Sequence, residues 1–260
     1  MKARVSIAAL ALAGVTAAAA AAAGPAAVSS AVTKADPEIR QMVVFGDGSK
    51  IAKRVRAART TVKVDGRSCA VGARTPLAAL ARARPGKMRL FDYGSCSARV
   101  ADAAGLFVKS IRGQVNHGLN GWVYKVRRKA GPAGAKLGTA GAADLAGPFG
   151  RGRLRPGDRV IWFYCVFEAG SCQRSLELAW TLAGRELSVS VTGYDDSGDG
   201  APVAGATVVA EPVGGDEPRR RGTTAADGKA PGMALAPGDY LVHARKRGAI
   251  PSFDARVTVR

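Results

Sequence analysis

The chain has 260 residues, an apolar share of 47% and a charged share of 23%, so it can bury a real core and is not broadly disordered. Its formal net charge of +19 indicates either an anionic partner or the Arg- and Ala-rich bias of a GC-rich genome. The basic residues are scattered along the sequence, which favours the compositional explanation. No specific nucleic-acid binding is predicted.

The N-terminus has the pattern of a secretion signal. Lys2 and Arg4 precede an uncharged, Ala-rich stretch, and small residues crowd its end. We predict a signal over residues 1–31, with several possible cleavage positions. An uncleaved membrane anchor is the alternative. No later stretch has the length and hydropathy of a membrane span. The predicted location is therefore extracellular, either free or associated with the cell envelope.

Four cysteines agree with export to an oxidising compartment. Their spacing lacks the paired knuckles of zinc sites and the C-x-x-C redox motif. Four cysteines allow three pairings. We predict the pairs that are nearest in sequence, Cys69–Cys96 and Cys165–Cys172.

In chain order, residues 32–57 are predicted to hold a polar leader and two strands joined by a Gly-Asp-Gly turn. "TPLAALARARPG" is predicted to be a helix, with Thr75 as its cap and Pro76 at its first position. "GWVYKV" and "DRVIWFYCVF" are predicted strands. Residues 129–152 lack periodicity and are interpreted as an extended loop. "SLELAW" is interpreted as the last strand before a linker, "TLAGRE".

The strand "DRVIWFYCVF" has two apolar faces. Val160, Trp162 and Tyr164 point to one side, and Ile161, Phe163 and Cys165 point to the other. This pattern predicts a core strand covered on both faces. A ligand-stacking surface is the alternative, and it makes Trp122, Tyr124, Trp162 and Tyr164 the candidate ligand-binding residues.

Beyond residue 187 the pattern changes to short alternating strands separated by Gly, Asp and Pro turns, which is typical of a small antiparallel sandwich. The predicted fold is mainly β with one helix: an α+β domain over residues 58–181 and a β-sandwich over residues 187–260.

Two family resemblances accompany this interpretation. "TPLAAL", "LFVKSIRG", "GWVYKV" and "LRPGDRVIWFYC" resemble the transcobalamin-like C-terminal domain family. This resemblance implies that residues 58–181 form a β-grasp-like domain, a helix on a mixed sheet, and that the ligand is a corrinoid or other tetrapyrrole. "GAPVAGATVVAE", "TTAADGKAPGMALAPGDYLVHARKRG" and "ARVTV" resemble carboxypeptidase-regulatory-like or prealbumin-like sandwiches, which implies a structural or adhesive module.

Motifs that carry chemistry are sparse. His117 and His243 are both predicted to be solvated, His243 on an outward strand face. "DDSGDG" at Asp195–Gly200 begins like a calcium loop but has Ala206 at the twelfth position, so an ordinary turn is predicted. The run Arg219–Arg221 is predicted to be a solvated loop.

No catalytic residue, metal site or cofactor is predicted. The predicted function is a secreted, non-catalytic binding or envelope-associated protein, with a glycan, an anionic envelope polymer or a cobalamin-like molecule as possible ligand. In that function the β-grasp-like domain recognises the ligand and the sandwich acts as a spacer. Tetrapyrrole capture, or a hydrolase with an unrecognised site, are the alternatives.

Overall fold

The structure is a computed structural model that describes residues 36–94, 96–97, 105–127, 137–138, 153–215 and 217–260. The predicted signal over residues 1–31 lies outside the described residues, as does nearly all of the predicted loop at 129–152. Residues Ala35–Arg260 form one compact unit. Within the residues described, no helix combines the length and hydropathy that a membrane crossing requires.

The N-terminal half contains one helix and ten strands in the residues described. Their bounds are β1 Glu38–Val44, β2 Lys50–Arg56, β3 Thr60–Val64, β4 Arg67–Val71, α1 Pro76–Ala83, β5 Met88–Asp92, β6 Leu106–Ile111, β7 Gln114–Val115, β8 Gly121–Arg127, β9 Leu137–Gly138 and β10 Arg159–Cys165.

The C-terminal half is built from strands alone across its described positions. Their bounds are β11 Ser175–Ala183, β12 Glu186–Tyr194, β13 Gly200–Pro202, β14 Thr207–Pro212, β15 Arg220–Thr223, β16 Lys229–Ala234, β17 Gly238–Arg245 and β18 Ala255–Val259. The predicted fold class, mainly β with one helix, is confirmed.

The N-terminal half is organised around a five-stranded mixed sheet with the order β2-β1-β10-β8-β9, which we call the main sheet. Only β1 and β10 are parallel among these described strands. The helix and the small sheets β3-β4 and β5-β6-β7 contribute to one core on one face of this sheet. Strands β1 and β2 belong to this sheet, so the N-terminal domain includes residues 38–56 and does not begin at residue 58 as predicted.

The helix begins and ends where its sequence predicts. The Oγ1 of Thr75 accepts a hydrogen bond from the backbone N–H of Ala78 at 3.1 Å, and Pro76 follows it at the first turn. Arg84 adopts a left-handed conformation with φ of 50° and ends the helix. Leu77 and Leu80 are fully buried, so the apolar face fixes the helix on the core.

The C-terminal half is a sandwich of two four-stranded sheets. One has the order β11-β12-β13 with β16 beside β12, and the other has the order β15-β14-β17-β18. The alternation of "LSVSV" buries Leu187, Val189 and Val191 between the sheets, as predicted.

Two sequence interpretations need correction here. "SLELAW" pairs with β12 along its whole length, so it is an edge strand of the sandwich and not a strand of the N-terminal half. "TLAGRE" is not a linker, because it consists of the ends of β11 and β12 and the tight turn at Gly184–Arg185 that joins them. Local alternation predicted the strand but carries no information about its pairing partner.

Strand β10 is the middle strand of the main sheet. Val160 and Trp162 belong to the core under the helix, whereas Ile161, Phe163 and Cys165 belong to a second cluster with Met42, Ile250 and Phe253. The prediction of a strand covered on both faces is confirmed. Its second face is covered by residues 250 and 253 of the sandwich half, so the two halves share buried apolar surface.

Both predicted disulfides are present, Cys69–Cys96 and Cys165–Cys172, with sequence separations of 27 and 7 residues. Because a cross-link stabilises mainly by restricting the unfolded chain, the longer loop contributes more. We expect Cys69→Ser/Cys96→Ser to lower the free energy of unfolding by about 3–4 kcal/mol, and Cys165→Ser/Cys172→Ser by about 2 kcal/mol. Urea unfolding measures both. A larger loss from the short loop would contradict the chain-entropy explanation.

Candidate functional site

The four predicted ligand-binding aromatics lie together on the main sheet. Trp162 is the register partner of Tyr124, and Tyr164 is the partner of Trp122. The rings of Tyr124 and Trp162 are 4.9 Å apart, and those of Trp122 and Tyr164 are 5.9 Å apart. The four rings therefore share one face of the main sheet.

This aromatic cluster is packed as a core. Trp122, Tyr124 and Trp162 are each 2% exposed, and Tyr164 is partly buried. The indole N–H of Trp122 donates to the carbonyl of Gln114 at 2.8 Å, and that of Trp162 donates to the carbonyl of Pro76 at 3.3 Å. A planar ligand would reach three of these rings only if the core opened. Their ligand-binding role stays a prediction.

The acidic turn "DDSGDG" is held by its own side chains. One carboxylate oxygen of Asp195 accepts the N–H groups of Ser197 and Asp199, both at 2.9 Å. Asp196 accepts the N–H of Cys172 at 2.8 Å and faces the Lys125 ammonium at 3.5 Å. Among the residues described, no three His, Cys, Asp or Glu side chains gather as a metal site would require.

The face of the main sheet that meets the sandwich carries a row of arginines. Arg54, Arg40, Arg159 and Arg127 are successive register partners on β2, β1, β10 and β8. Side chains in register point to the same face of a sheet, so these four guanidiniums lie side by side. Desolvation and the charge of Arg159 lower the pKa of Arg40.

Glu177 of β11 is the counter-ion shared by two of these four arginines. Its carboxylate contacts Nε of Arg127 at 2.7 Å and the guanidinium of Arg159 at 2.8 Å, and its side chain is only 11% exposed. Burial raises the pKa of Glu177, and the two guanidiniums oppose that rise. The pairing ties the sandwich to the main sheet.

A cleft opens where the tip of the β1–β2 hairpin approaches the end of β17; we call it the junction cleft. It has a volume of 470 Å³. Its described lining contains two lysines, two arginines and a histidine, and no carboxylate. The five are Lys50, His243, Arg245, Lys246 and Arg247.

Two of these cations are free to meet a ligand. Arg245 and Arg247 are exposed, and neither guanidinium has a hydrogen-bond or ion-pair partner among the residues described. Lys246 is different, because its ammonium donates to the carbonyl of Ala204 at 2.7 Å and fixes the turn after β17. The cleft therefore combines a fixed backbone with uncompensated positive charge.

His243 lies at the inner side of the junction cleft, and here the sequence prediction needs correction. It occupies the outer face of β17, as predicted, but its side chain is only 19% exposed because Lys50 and Asp254 lie against it. Its Nδ1 is 3.8 Å from a carboxylate oxygen of Asp254, which also contacts the Lys50 ammonium at 2.8 Å. His117, by contrast, lies in an exposed turn.

The environment of His243 favours its neutral form. Desolvation lowers its pKa, and the charges of Lys50 and Arg245 lower it further, whereas Asp254 and Glu211 oppose the shift. The imidazole is thus neutral near pH 7 and gains a proton only in more acidic solution.

The run Arg219–Arg221 also differs from its prediction. Arg220 and Arg221 belong to strand β15, and Arg219 pairs with Glu211 at 3.7 Å. The equally basic run "RKR" at 245–247 lines the junction cleft instead. That second run lies at the end of strand β17, just before the turn at Gly248. Three basic residues between a strand and a glycine turn are the sequence feature that could have indicated a basic cleft.

The protein-family models contain no match to this chain, and the curated proteins contain none either. The transcobalamin-like and carboxypeptidase-regulatory-like resemblances therefore stay predictions from the sequence.

Proposed function

We propose that the protein is an exported, non-catalytic binding protein that associates with the cell envelope by holding an anionic polymer in the junction cleft. The observation that carries this proposal is the pair of guanidiniums, Arg245 and Arg247, that lack partners among the described residues, in a cleft whose described lining has no carboxylate. Guanidinium groups bind phosphate and carboxylate oxygens through paired N–H donors.

The charge of the chain supports this proposal. A net charge of +19 attracts polyanions from a distance, and the two arginines of the cleft that lack partners among the described residues then supply a place for contact. The two disulfides are compatible with an extracellular location, where such polymers occur. In this proposal the β1–β2 hairpin and the sandwich form the recognition surface together, so the sandwich takes part in binding and is not only a spacer.

The test compares two variants of equal charge. Arg245→Gln/Arg247→Gln removes two cations from the cleft, and Arg89→Gln/Lys109→Gln removes two exposed cations from the small sheet on the other side of the main sheet. Long-chain polyphosphate is the probe, and isothermal titration at low and moderate salt is the measurement. We expect the cleft variant to lose about tenfold or more in affinity and the control about threefold or less. Equal losses would refute the proposed site.

A pH effect follows from His243. Because burial lowers its pKa, the imidazole is neutral near pH 8 and gains a proton, which adds a cation to the cleft, only when the solution is acidified below the ordinary histidine range. Binding of dextran sulfate, whose own charge does not change on this acidification, is expected to tighten about threefold or more as the imidazole becomes charged. His243→Gln is expected to remove most of that gain. A wild-type affinity that is flat with pH would contradict the placement of the ligand beside His243.

A further inference from the structure

We infer that the ligand of the proposed site is an extended linear polyanion, because a second basic groove lies next to the junction cleft along the same two strands. This inference rests on the proposed function and adds the shape of the ligand. The second groove has a volume of 340 Å³, and we call it the arginine groove. Its lining includes Arg40, Arg54, Arg256, Leu241 and Asp254.

The two hollows share the same pair of strands. On β17, Leu241 lines the arginine groove, and His243 and Arg245 line the junction cleft. Alternate residues of a strand point to one side, so these three side chains form one row about 13 Å long. On β2, Arg54 and Ala52 line the arginine groove and Lys50 lines the cleft, at the same spacing.

Asp254 marks the boundary between the two hollows. Its carboxylate contacts the Lys50 ammonium at 2.8 Å and lies 3.8 Å from Nδ1 of His243, so it joins β2 to β17 across the floor. Asp254 is also part of the lining of the arginine groove. A chain that passes over this carboxylate meets cations on both sides of it.

The two hollows differ in how their cations are held. In the arginine groove, Arg54 has an exposed contact with Glu38 at 3.4 Å, and Arg256 contacts Asp239 at 2.6 Å. Leu241, 38% exposed, supplies an apolar surface between them. The junction cleft therefore provides the stronger anion contact, and the arginine groove adds weaker charge contacts and an apolar strip that only a longer chain reaches.

The inference is tested by varying chain length. Wild type, Arg245→Gln/Arg247→Gln, Arg54→Gln/Arg256→Gln and the control Arg89→Gln/Lys109→Gln are each titrated with tripolyphosphate and with long-chain polyphosphate, after thermal melting has shown that all four fold. We expect Arg54→Gln/Arg256→Gln to weaken long-chain binding about five- to tenfold while leaving tripolyphosphate binding within about twofold. The cleft variant is expected to weaken both.

The failures of the two proposals are distinguishable. If Arg54→Gln/Arg256→Gln leaves long-chain binding unchanged while the cleft variant weakens it, the continuous track is overturned and the proposed cleft stands. A wild-type protein that binds tripolyphosphate as tightly as the long chain also overturns the track alone. If the cleft variant weakens neither probe more than the control does, the proposed function itself is overturned.

Discussion

Replacement of Glu177 by leucine is expected to lower the free energy of unfolding by about 3–5 kcal/mol. The carboxylate lies between Arg127 and Arg159, and all three side chains are less than a third exposed. Without it, two adjacent guanidiniums lose their common counter-ion, and Arg127 already has one buried nitrogen, Nη1, without a hydrogen-bond partner among the described residues. Urea unfolding followed by circular dichroism measures the loss.

A matched control exists on the same row of arginines. Glu38 contacts Arg54 at 3.4 Å, but these side chains are 59% and 76% exposed. Water already screens that pair, so Glu38→Leu is expected to cost less than about 1 kcal/mol. Equal costs for the two substitutions would show that the buried pairing of Glu177 does not hold the sandwich against the main sheet.

Trp162→Ala is expected to lower the free energy of unfolding by about 3–5 kcal/mol, since it leaves a large void in the core under the helix. The ring packs on Tyr124, and its N–H donates to the carbonyl of Pro76 at the start of α1. The substitution therefore loosens both the main sheet and the position of the helix. Denaturant midpoints and m values separate this loss from a change in the unfolded state.

Trp180 provides the comparison, because it is 40% exposed on the edge strand β11. Trp180→Ala is expected to cost about 1 kcal/mol or less. If Trp162→Ala lowered the free energy of unfolding as little as Trp180→Ala, the ring of Trp162 would not be part of a tightly packed core. The ligand-stacking alternative would then be supported.

Much of the fold could be predicted because the decisive signals are local. The alternation of Val160 to Cys165 showed a strand covered on both faces, and Thr75 with Pro76 marked the start of the helix. The pairing of the cysteines followed from their proximity in sequence. Each of these features depends on a few neighbouring residues, so the sequence alone specifies it.

The candidate site could not be predicted in the same way. Lys50 belongs to a hairpin near the N-terminus, whereas His243 and Arg245 belong to a strand near the C-terminus. Only the packing of the β1–β2 hairpin against the sandwich brings them together, and no local pattern encodes that packing. In the sequence, the basic residues are far apart and are therefore interpreted as compositional bias. In the structure, some of them lie close together along β2 and β17.

The most direct test of the anion-binding account is hydrogen–deuterium exchange of the mature protein with and without long-chain polyphosphate. Bound polyphosphate is expected to slow exchange in two places: the turn at 245–250 and the hairpin tip at 46–51. Exchange at β5 and β6 is predicted to stay unchanged. Protection confined to β15 or to the β5–β6 sheet, with none at the junction cleft, would contradict it.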